Sequence, residues 1–273
     1  MIQAYYRAGN AAGAADSPHF HADYEILYVC QGWAEISVSE QSFRAEAPSL
    51  VFFGNLEMHR VTGASPDYQR YVLTIPPRRL WGAPPVLLSI CRSRPAGFRH
   101  ALSLAGSGFS PEPLFQALAQ ESARGDEYAQ FCAESLVRLL LAQLFRVCPQ
   151  AFPAAGRKYP EGVVQAQHWL DEHCCQPLAM DAVARRFCMS ASYFRHQFQQ
   201  LIGLSPKQYV MFSRLARARE LLAGTALPIA EIAEQCGFPD ASNFSRAFRR
   251  RYGVSPSSLR AAPGEKTNKA GFT

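Results

Sequence analysis

Lysine is absent from the first 150 residues of this 273-residue chain, where 12 Arg face 13 acidic residues for a net charge of −1. So neutral a half offers no field to a polyanion. Residues 151–273 carry 16 Lys plus Arg against 9 acidic residues, a net of +7. A positive field confined to one half is what phosphate-backbone binding requires, although a solvated basic surface gives the same balance. No basic and apolar signal segment is present, and the most apolar run, residues 137–147, is interrupted by Arg138, Gln143 and Arg146. That run cannot span a bilayer, so the expectation is a cytoplasmic chain without a membrane partner. The eight cysteines (Cys30, Cys91, Cys132, Cys148, Cys174, Cys175, Cys188, Cys236) include no CxxC pair. Vicinal Cys174-Cys175 is compatible with a redox or metal feature, but free thiols in a reducing compartment are the simpler reading. With 48% hydrophobic residues, the chain can bury the cores of two domains.

What is present is organised around residues 229–259, IAEIAEQCGFPDASNFSRAFRRRYGVSPSSL. Ile229, Ile232, Ala233 and Cys236 make the apolar stripe of a short helix, which Gly237 can end because it tolerates positive φ. Asp240 and Ser242 are candidate N-caps for a second helix. That helix buries Phe244, Ala247 and Phe248 and turns Asn243, Ser245, Arg246, Arg249, Arg250 and Arg251 toward water. This is a helix-turn-helix pattern.

The pattern occurs twice. Met180, Val183, Ala184, Phe187, Cys188 and Met189 stand 49 residues before Ile229, Ile232, Ala233, Cys236, Gly237 and Phe238. Beyond the turn the offset is 50, pairing Phe194 with Phe244, Phe198 with Phe248, Gly203 with Gly253, and Ser205-Pro206 with Ser255-Pro256. The second turn is therefore one residue longer. Amphipathicity alone does not generate such matches, so the segment reads as an internal duplication. Residues 206–222 join the units as one helix with a Tyr209, Phe212, Leu215 and Leu222 stripe.

The residues MSxSYFxxxFQxxxGxSPxxY, from Met189, and IAxxCGFxDxSxFxRxFRRRYGxSPxxLR, from Ile232, resemble the DNA-binding domain of the AraC/XylS family of bacterial transcription regulators. Cys188 departs from the Gly common at that turn. The resemblance implies that Ser192, Arg195 and His196 occupy base-contacting positions, with Ala241, Ser242, Asn243, Ser245 and Arg246 as their counterparts. Ser190 is the first cap, and Tyr193 and Gln199 lie near the exposed face. Arg195 can fork onto guanine. Arg186, Lys207, Arg249 and Arg250 suit phosphate contacts, which add affinity but little sequence information. Double-stranded DNA is the expected partner.

Residues 2–75 read as short strands at 24–32, 33–40, 41–48, 49–55 and 68–76, bounded by Gly, Asn and Pro, as in a small sandwich or barrel. His19, His21, Glu25, Gly32 and later His59 resemble the first motif of the cupin fold. If their strand is continuous, His19, His21 and Glu25 share parity and face a barrel mouth. Three imidazoles and a carboxylate can ligate a divalent metal, contact an effector or serve as structural polar groups, and the sequence leaves these open. The expectation is effector binding by His19, His21, Glu25, Trp33 and His59, with no resident metal or cofactor. Tyr24, Tyr28, Trp33, Phe52 and Tyr71 read as core or pocket wall.

Residues 87–93 read as one more strand, and 113–123 and 127–147 as helices. The second of these, with Phe131, Leu136, Val137, Leu139, Leu140, Leu141, Leu144, Phe145 and Val147, carries more apolar surface than one small barrel needs, which points to a homodimer. The expected architecture is α+β and multidomain. A cupin-like β-barrel (1–105) precedes a helical dimerisation segment (106–149), a linker (150–161), an all-α tandem helix-turn-helix domain (162–262) and a disordered tail (263–273). The function this predicts is a sequence-specific transcription regulator, not an enzyme, controlled by a small-molecule effector. Its rivals are a metal-dependent cupin enzyme or metal sensor tethered to a DNA-binding module, and a non-specific architectural DNA binder.

Overall fold

The computed structural model describes residues 1–9, 18–39, 41–80, 82–92, 97–153 and 160–261. The middle of the expected linker (154–159) and the whole expected tail lie outside the described residues. Strands β1 (Gln3–Ala8), β2 (Tyr24–Gln31), β3 (Trp33–Val38), β4 (Gln41–Glu46), β5 (Ser49–Phe53), β6 (His59–Ala64) and β7 (Gln69–Ile75) come first. Helix α1 (Pro85–Arg92), strand β8 (Ala101–Ser103) and helices α2 (Glu112–Arg124) and α3 (Ala129–Val147) complete the N-terminal half. Then follow α4 (Glu161–His173), α5 (Met180–Arg186), α6 (Ala191–Ile202), α7 (Pro206–Gly224), α8 (Ile229–Gln235), α9 (Ala241–Tyr252) and α10 (Pro256–Ala261).

Two antiparallel sheets face one another. One has the strand order β1-β7-β2-β5-β8 and the other β4-β3-β6. Leu27, Val29, Val51, Phe53 and Val72 meet Ala34, Ile36, Val38, Ala45 and Val61 between them. The opposite face of the larger sheet, with Tyr24, Ile26, Tyr28, Phe52, Tyr71 and Leu73, is covered by α1, α2 and α3. Strand β2 is thus buried on both faces, which is why its sequence runs apolar almost without alternation. Tyr24, Tyr28, Phe52 and Tyr71 belong to this outer layer and wall no space between the sheets.

The five expected strands form within a residue or two of their expected ends, but residues 87–93 do not add another. They belong to α1, opened by Pro85, whose fixed φ suits a first helical turn. A short apolar run is ambiguous by period alone, and burial of Leu88, Ile90 and Cys91 against the sheet decides for helix. Strand β6 has mixed polarity and carries no clear strand pattern. It forms because its edge pairs with β3.

In the C-terminal half the duplication is explicit. Units α5-α6 and α8-α9 each end in a left-handed glycine, Gly203 at φ 81° and Gly253 at φ 75°. Each is followed by a helix opening on Ser-Pro, α7 and α10. Ser190 caps α6 by accepting from Tyr193 N, and Asp240, not Ser242, caps α9 by accepting from Asn243 N. Cys188 and Gly237 hold the same place in the two turns, and both have positive φ, 56° and 77°. The departure at Cys188 therefore leaves the turn's path unchanged. Gly237 cannot vary in the same way, because a Cβ there would lie 2.3 Å from the Cys175 carbonyl oxygen.

Candidate functional site

Two regions carry the polar chemistry. The first lies at one end of the space between the sheets. Glu25 follows the parity of Leu27 and Val29, and His59 that of Val61, so both face inward. The His59 ring stacks on Phe53, 4.1 Å between centroids. The expected continuous strand through His19 and Glu25 does not form. His19 makes only an isolated bridge, His19 N to His59 O at 3.0 Å and His59 N to His19 O at 2.9 Å. A bend follows before β2 begins at Tyr24. The residues converge nevertheless, with His19–His59 and His21–His59 ring centroids 4.5 and 5.3 Å apart.

The His21 and His59 rings are oriented by the backbone. His21 Nδ1 lies 2.8 Å from Asp23 O and His59 Nδ1 2.9 Å from Glu57 O, so each Nδ1–H donates to a carbonyl and each Nε2 points inward. His21 Nε2 lies 3.0 Å from Glu25 Oε2, and His59 Nε2 lies 3.8 Å from Glu25 Oε1. Burial alone would raise the Glu25 carboxyl, but the hydrogen bond from His21 and the surrounding imidazoles bring it down to about 2. Burial holds His59 at about 3, against the attraction of Glu25. At neutral pH the cluster pairs an ionised carboxylate with a neutral His59.

Trp33 is not part of it. Val38 is the β3 residue opposite His59, and Trp33 lies five positions away, about 17 Å along the strand. Its ring instead carries the Arg44 guanidinium at 3.9 Å. A cleft between the chain start and the α2-α3 turn, lined by Ile2, Ser122, Asp126 and Gln130, holds only about 70 Å³. That is far below the roughly 300 Å³ of a typical small-molecule site.

The second region is the helical half. Arg186, Ser190, Ser192, Arg195, His196 and Gln199 are exposed on or beside α6, as are Ser242, Arg246, Arg249 and Arg250 on α9; Asn243 and Ser245 are half-buried. The order of α9 is preset. Asn243 Nδ2 donates to Asp240 Oδ2, and Arg246 Nη2 donates to Asn243 Oδ1, both at 2.6 Å. The Arg186 guanidinium sits over Trp169 at 5.4 Å. Connector α7 is 19 residues long, a rod of about 28 Å.

Arg251 departs from the water-facing position expected of it. Its guanidinium lies 4.1 Å from the ring centroids of both Phe20 and Phe212, and Nη2 donates to Leu56 O at 2.8 Å. Phe20 stacks on Tyr252, 4.5 Å apart and 4° from parallel. Phe20 and Leu56, fully buried, belong to the hydrophobic core of the helical half, flanked by Ala22 and Met58. His19 and His21 thus look into the sandwich, while Phe20 between them looks into the helical half. A second bridge is polar: Arg92 Nη2 donates to His168 Nε2 at 3.4 Å, and Asn55 Nδ2 donates to Tyr209 OH at 2.9 Å, itself bonded to Asp171. Sequence reasoning did not find Phe20, Asn55, Leu56 or Tyr252. The one available signal was the alternation His-Phe-His, which places a large apolar ring outside the barrel where something must cover it.

The vicinal cysteines are free thiols, with Cys174 and Cys175 Sγ atoms 3.8 Å apart. Among the described residues, no helix is long and apolar enough to cross a membrane.

Comparison with known proteins agrees with both halves. Residues 3–146 match the AraC-like ligand binding domain, and residues 183–262 match a helix-turn-helix domain. The HTH-type transcriptional activator RhaS of Salmonella schwarzengrund is 38% identical over 96 residues, 35% of this chain and 34% of that protein. RhaS of Escherichia fergusonii is 38% identical over 92 residues, 34% and 33% of the two chains. The chain thus matches about a third of the length of these curated relatives. ToxT from Vibrio cholerae superposes with a TM-score of 0.61 at 13% identity, over 96% of this chain and 97% of that one. Unsaturated fatty acid-bound ToxT superposes at 0.58 and 14% identity, over 95% and 94%. At that identity the likeness establishes a shared two-domain fold.

Proposed function

This chain belongs to the AraC family of transcription regulators, and from that premise we propose that it binds specific DNA sequences under the control of a ligand held by its N-terminal sandwich. The observation that carries this reading is the His19-Phe20-His21 tripeptide, whose alternate side chains belong to the two halves. A ligand that moves or fixes the histidines shifts Phe20 against Arg251 and Tyr252 at the end of the second recognition helix. Control arises only if the ligand binds two domain arrangements unequally, and a shared tripeptide provides that inequality.

In this reading Ser192, Arg195 and His196 on α6, and Ser242, Asn243, Ser245 and Arg246 on α9, contact bases in successive major-groove segments. Ser190, Gln199, Arg186, Arg249 and Arg250 hold the backbone. The organic effector, like the fatty acid of ToxT, is a small molecule that reaches the His19, His21, Glu25 and His59 end of the sandwich. The working form is a cytoplasmic homodimer joined through α3, whose Phe131, 72% exposed, and Leu139, 44% exposed, are left open by the described residues.

The test is selection of bound duplexes from a random library by the full chain. The expected enrichment is a motif with two conserved segments one helical turn apart, about 10 base pairs. Enrichment no better than for bulk DNA, with affinity set by salt alone, would reduce the protein to a non-specific binder. For the dimer, light scattering of Phe131→Glu is expected to show a monomer where the parent shows two chains.

A further inference from the structure

We propose that Cys175 is a hydroperoxide-reactive thiol and Cys236 its resolving partner, so that oxidation ties the end of α4 to the turn between α8 and α9 by a disulfide. The cross-link goes beyond the proposed function, and only its effect on DNA rests on that reading.

Three thiols from two distant segments meet here. The Cys174 and Cys175 Sγ atoms lie 3.8 Å apart. Cys175 also shares a hydrogen bond with Cys236, so its sulfur has a thiol on each side. The backbones touch as well: a Cβ on Gly237 would lie 2.3 Å from the Cys175 carbonyl oxygen and 3.1 Å from its Cα. Access differs among the three. Cys174 and Cys236 are buried, whereas Cys175 is half-buried, so a small oxidant meets Cys175 first.

The surroundings favour the reactive form. Arg214 Nε donates to Cys174 O at 2.6 Å and its Nη2 to Gln176 O at 2.8 Å, which fixes a guanidinium across the residues that flank Cys175. Hydrogen bonds from Cys174 and Cys236, aided by the positive charge of Arg217 and Arg214, pull the Cys175 thiol down against the opposing effect of burial. The same hydrogen bonds and burial push Cys174 and Cys236 up, so both stay protonated. A thiolate is the nucleophile in such chemistry.

The Cys175 thiolate attacks the peroxide O–O bond, takes one oxygen as sulfenic acid and expels hydroxide or alkoxide, the reduced peroxide. The Cys236 sulfur then attacks the sulfenic sulfur, and its proton leaves with the hydroxyl as water. Cys174 could close only a strained ring across a single peptide bond, which leaves Cys236 as the resolving thiol. A disulfide holds its sulfurs at about 2.05 Å, well inside hydrogen-bonding distance. Gly237 already abuts Cys175, so the shortening draws on the turn that carries Cys236. Phe238 in that turn packs on Phe244 of α9, 5.2 Å between ring centroids, and passes the shift to the second recognition helix.

The experiment treats the reduced full chain with stoichiometric hydrogen peroxide, blocks remaining thiols by alkylation and digests with trypsin for mass spectrometry. The expected product is fragment 159–185 joined to fragment 220–246, lighter than their sum by two hydrogens. The joined pair is expected to vanish in Cys175→Ser and in Cys236→Ala, and to persist in Cys188→Ser, whose exposed thiol lies in the other turn. Half-buried Cys175→Ser covers the case in which the buried variant fails to fold. Absence of the joined pair, or its persistence in Cys175→Ser, overturns the assignment. Affinity of the oxidised and reduced chain for a selected duplex is then compared. A several-fold loss that dithiothreitol reverses and Cys175→Ser abolishes supports the link to α9, and identical affinities overturn that link. Sequence-selective DNA binding without any joined pair would overturn this inference while leaving the proposed regulator standing.

Discussion

Arg251 donates a hydrogen bond to the backbone carbonyl of Leu56, 195 residues earlier, from the last turn of the second recognition helix. The accepting residue is itself unusual, a buried leucine at φ 62° in the left-handed region that side chains disfavour. Arg251→Ala removes a charged hydrogen bond and two ring contacts, an expected loss of about 2 kcal/mol in chemical denaturation. The same change is expected to alter the ligand response of a reporter gene without abolishing DNA binding. Arg249→Ala, two positions earlier and exposed on nearly the opposite side of the helix, is expected to weaken binding and leave the ligand response intact.

The two turns give a paired prediction. Cys188 bears the cost of a left-handed conformation in an exposed turn, so Cys188→Gly is expected to be neutral or to stabilise by up to about 1 kcal/mol. Gly237→Ala places a methyl 2.3 Å from the Cys175 carbonyl oxygen, and the expected loss is about 3 kcal/mol or more. Thermal melts of the two variants should move in different directions or by plainly different amounts.

For DNA, Arg195→Ala and Arg246→Ala are each expected to cost about 1 to 3 kcal/mol, concentrated at one base position. Arg250→Ala is expected to weaken all sequences alike and to lower the salt slope by about one. Fluorescence anisotropy on single-base variants of a selected duplex separates these patterns. A loss spread evenly over all positions for Arg195→Ala would remove it from the base-reading set.

Burial lifts the carboxyl of Asp171 to about 7, against the lowering pull of the Tyr209 hydroxyl and Arg92. The folded chain therefore holds a proton that the unfolded chain releases near 3.8, and stability falls as pH rises from about 4 to about 7, then levels. Between pH 5 and 8 the expected loss is on the order of 3 kcal/mol. Asp171→Asn should flatten that slope in urea titrations at the two pH values, because the titrating group is gone.

Much of the helical half was legible before any coordinates. Two apolar stripes, a turn position shared by Cys188 and Gly237, and Ser-Pro pairs at fixed offsets are local signals, and local hydrogen bonding and capping decide the helices they describe. Five strands were legible for the same reason, while residues 87–93 were misread because a short apolar run suits either period. The histidine cluster was legible as a motif but not as an arrangement. The strand thought to align His19 with Glu25 is broken, and Trp33 lies at the other end of its strand.

By itself the sequence determined what depends on neighbours along the chain: helix spans and caps, the duplicated unit, the basic half, and the set of imidazoles and one carboxylate available near the first strands. The tertiary structure alone decided which long-range pairs meet. It turned Arg251 from solvent toward Leu56 and Phe20, and it placed one histidine tripeptide in both halves at once. No local pattern encodes that choice, because the burial of Phe20 depends on a surface that arrives more than 190 residues later.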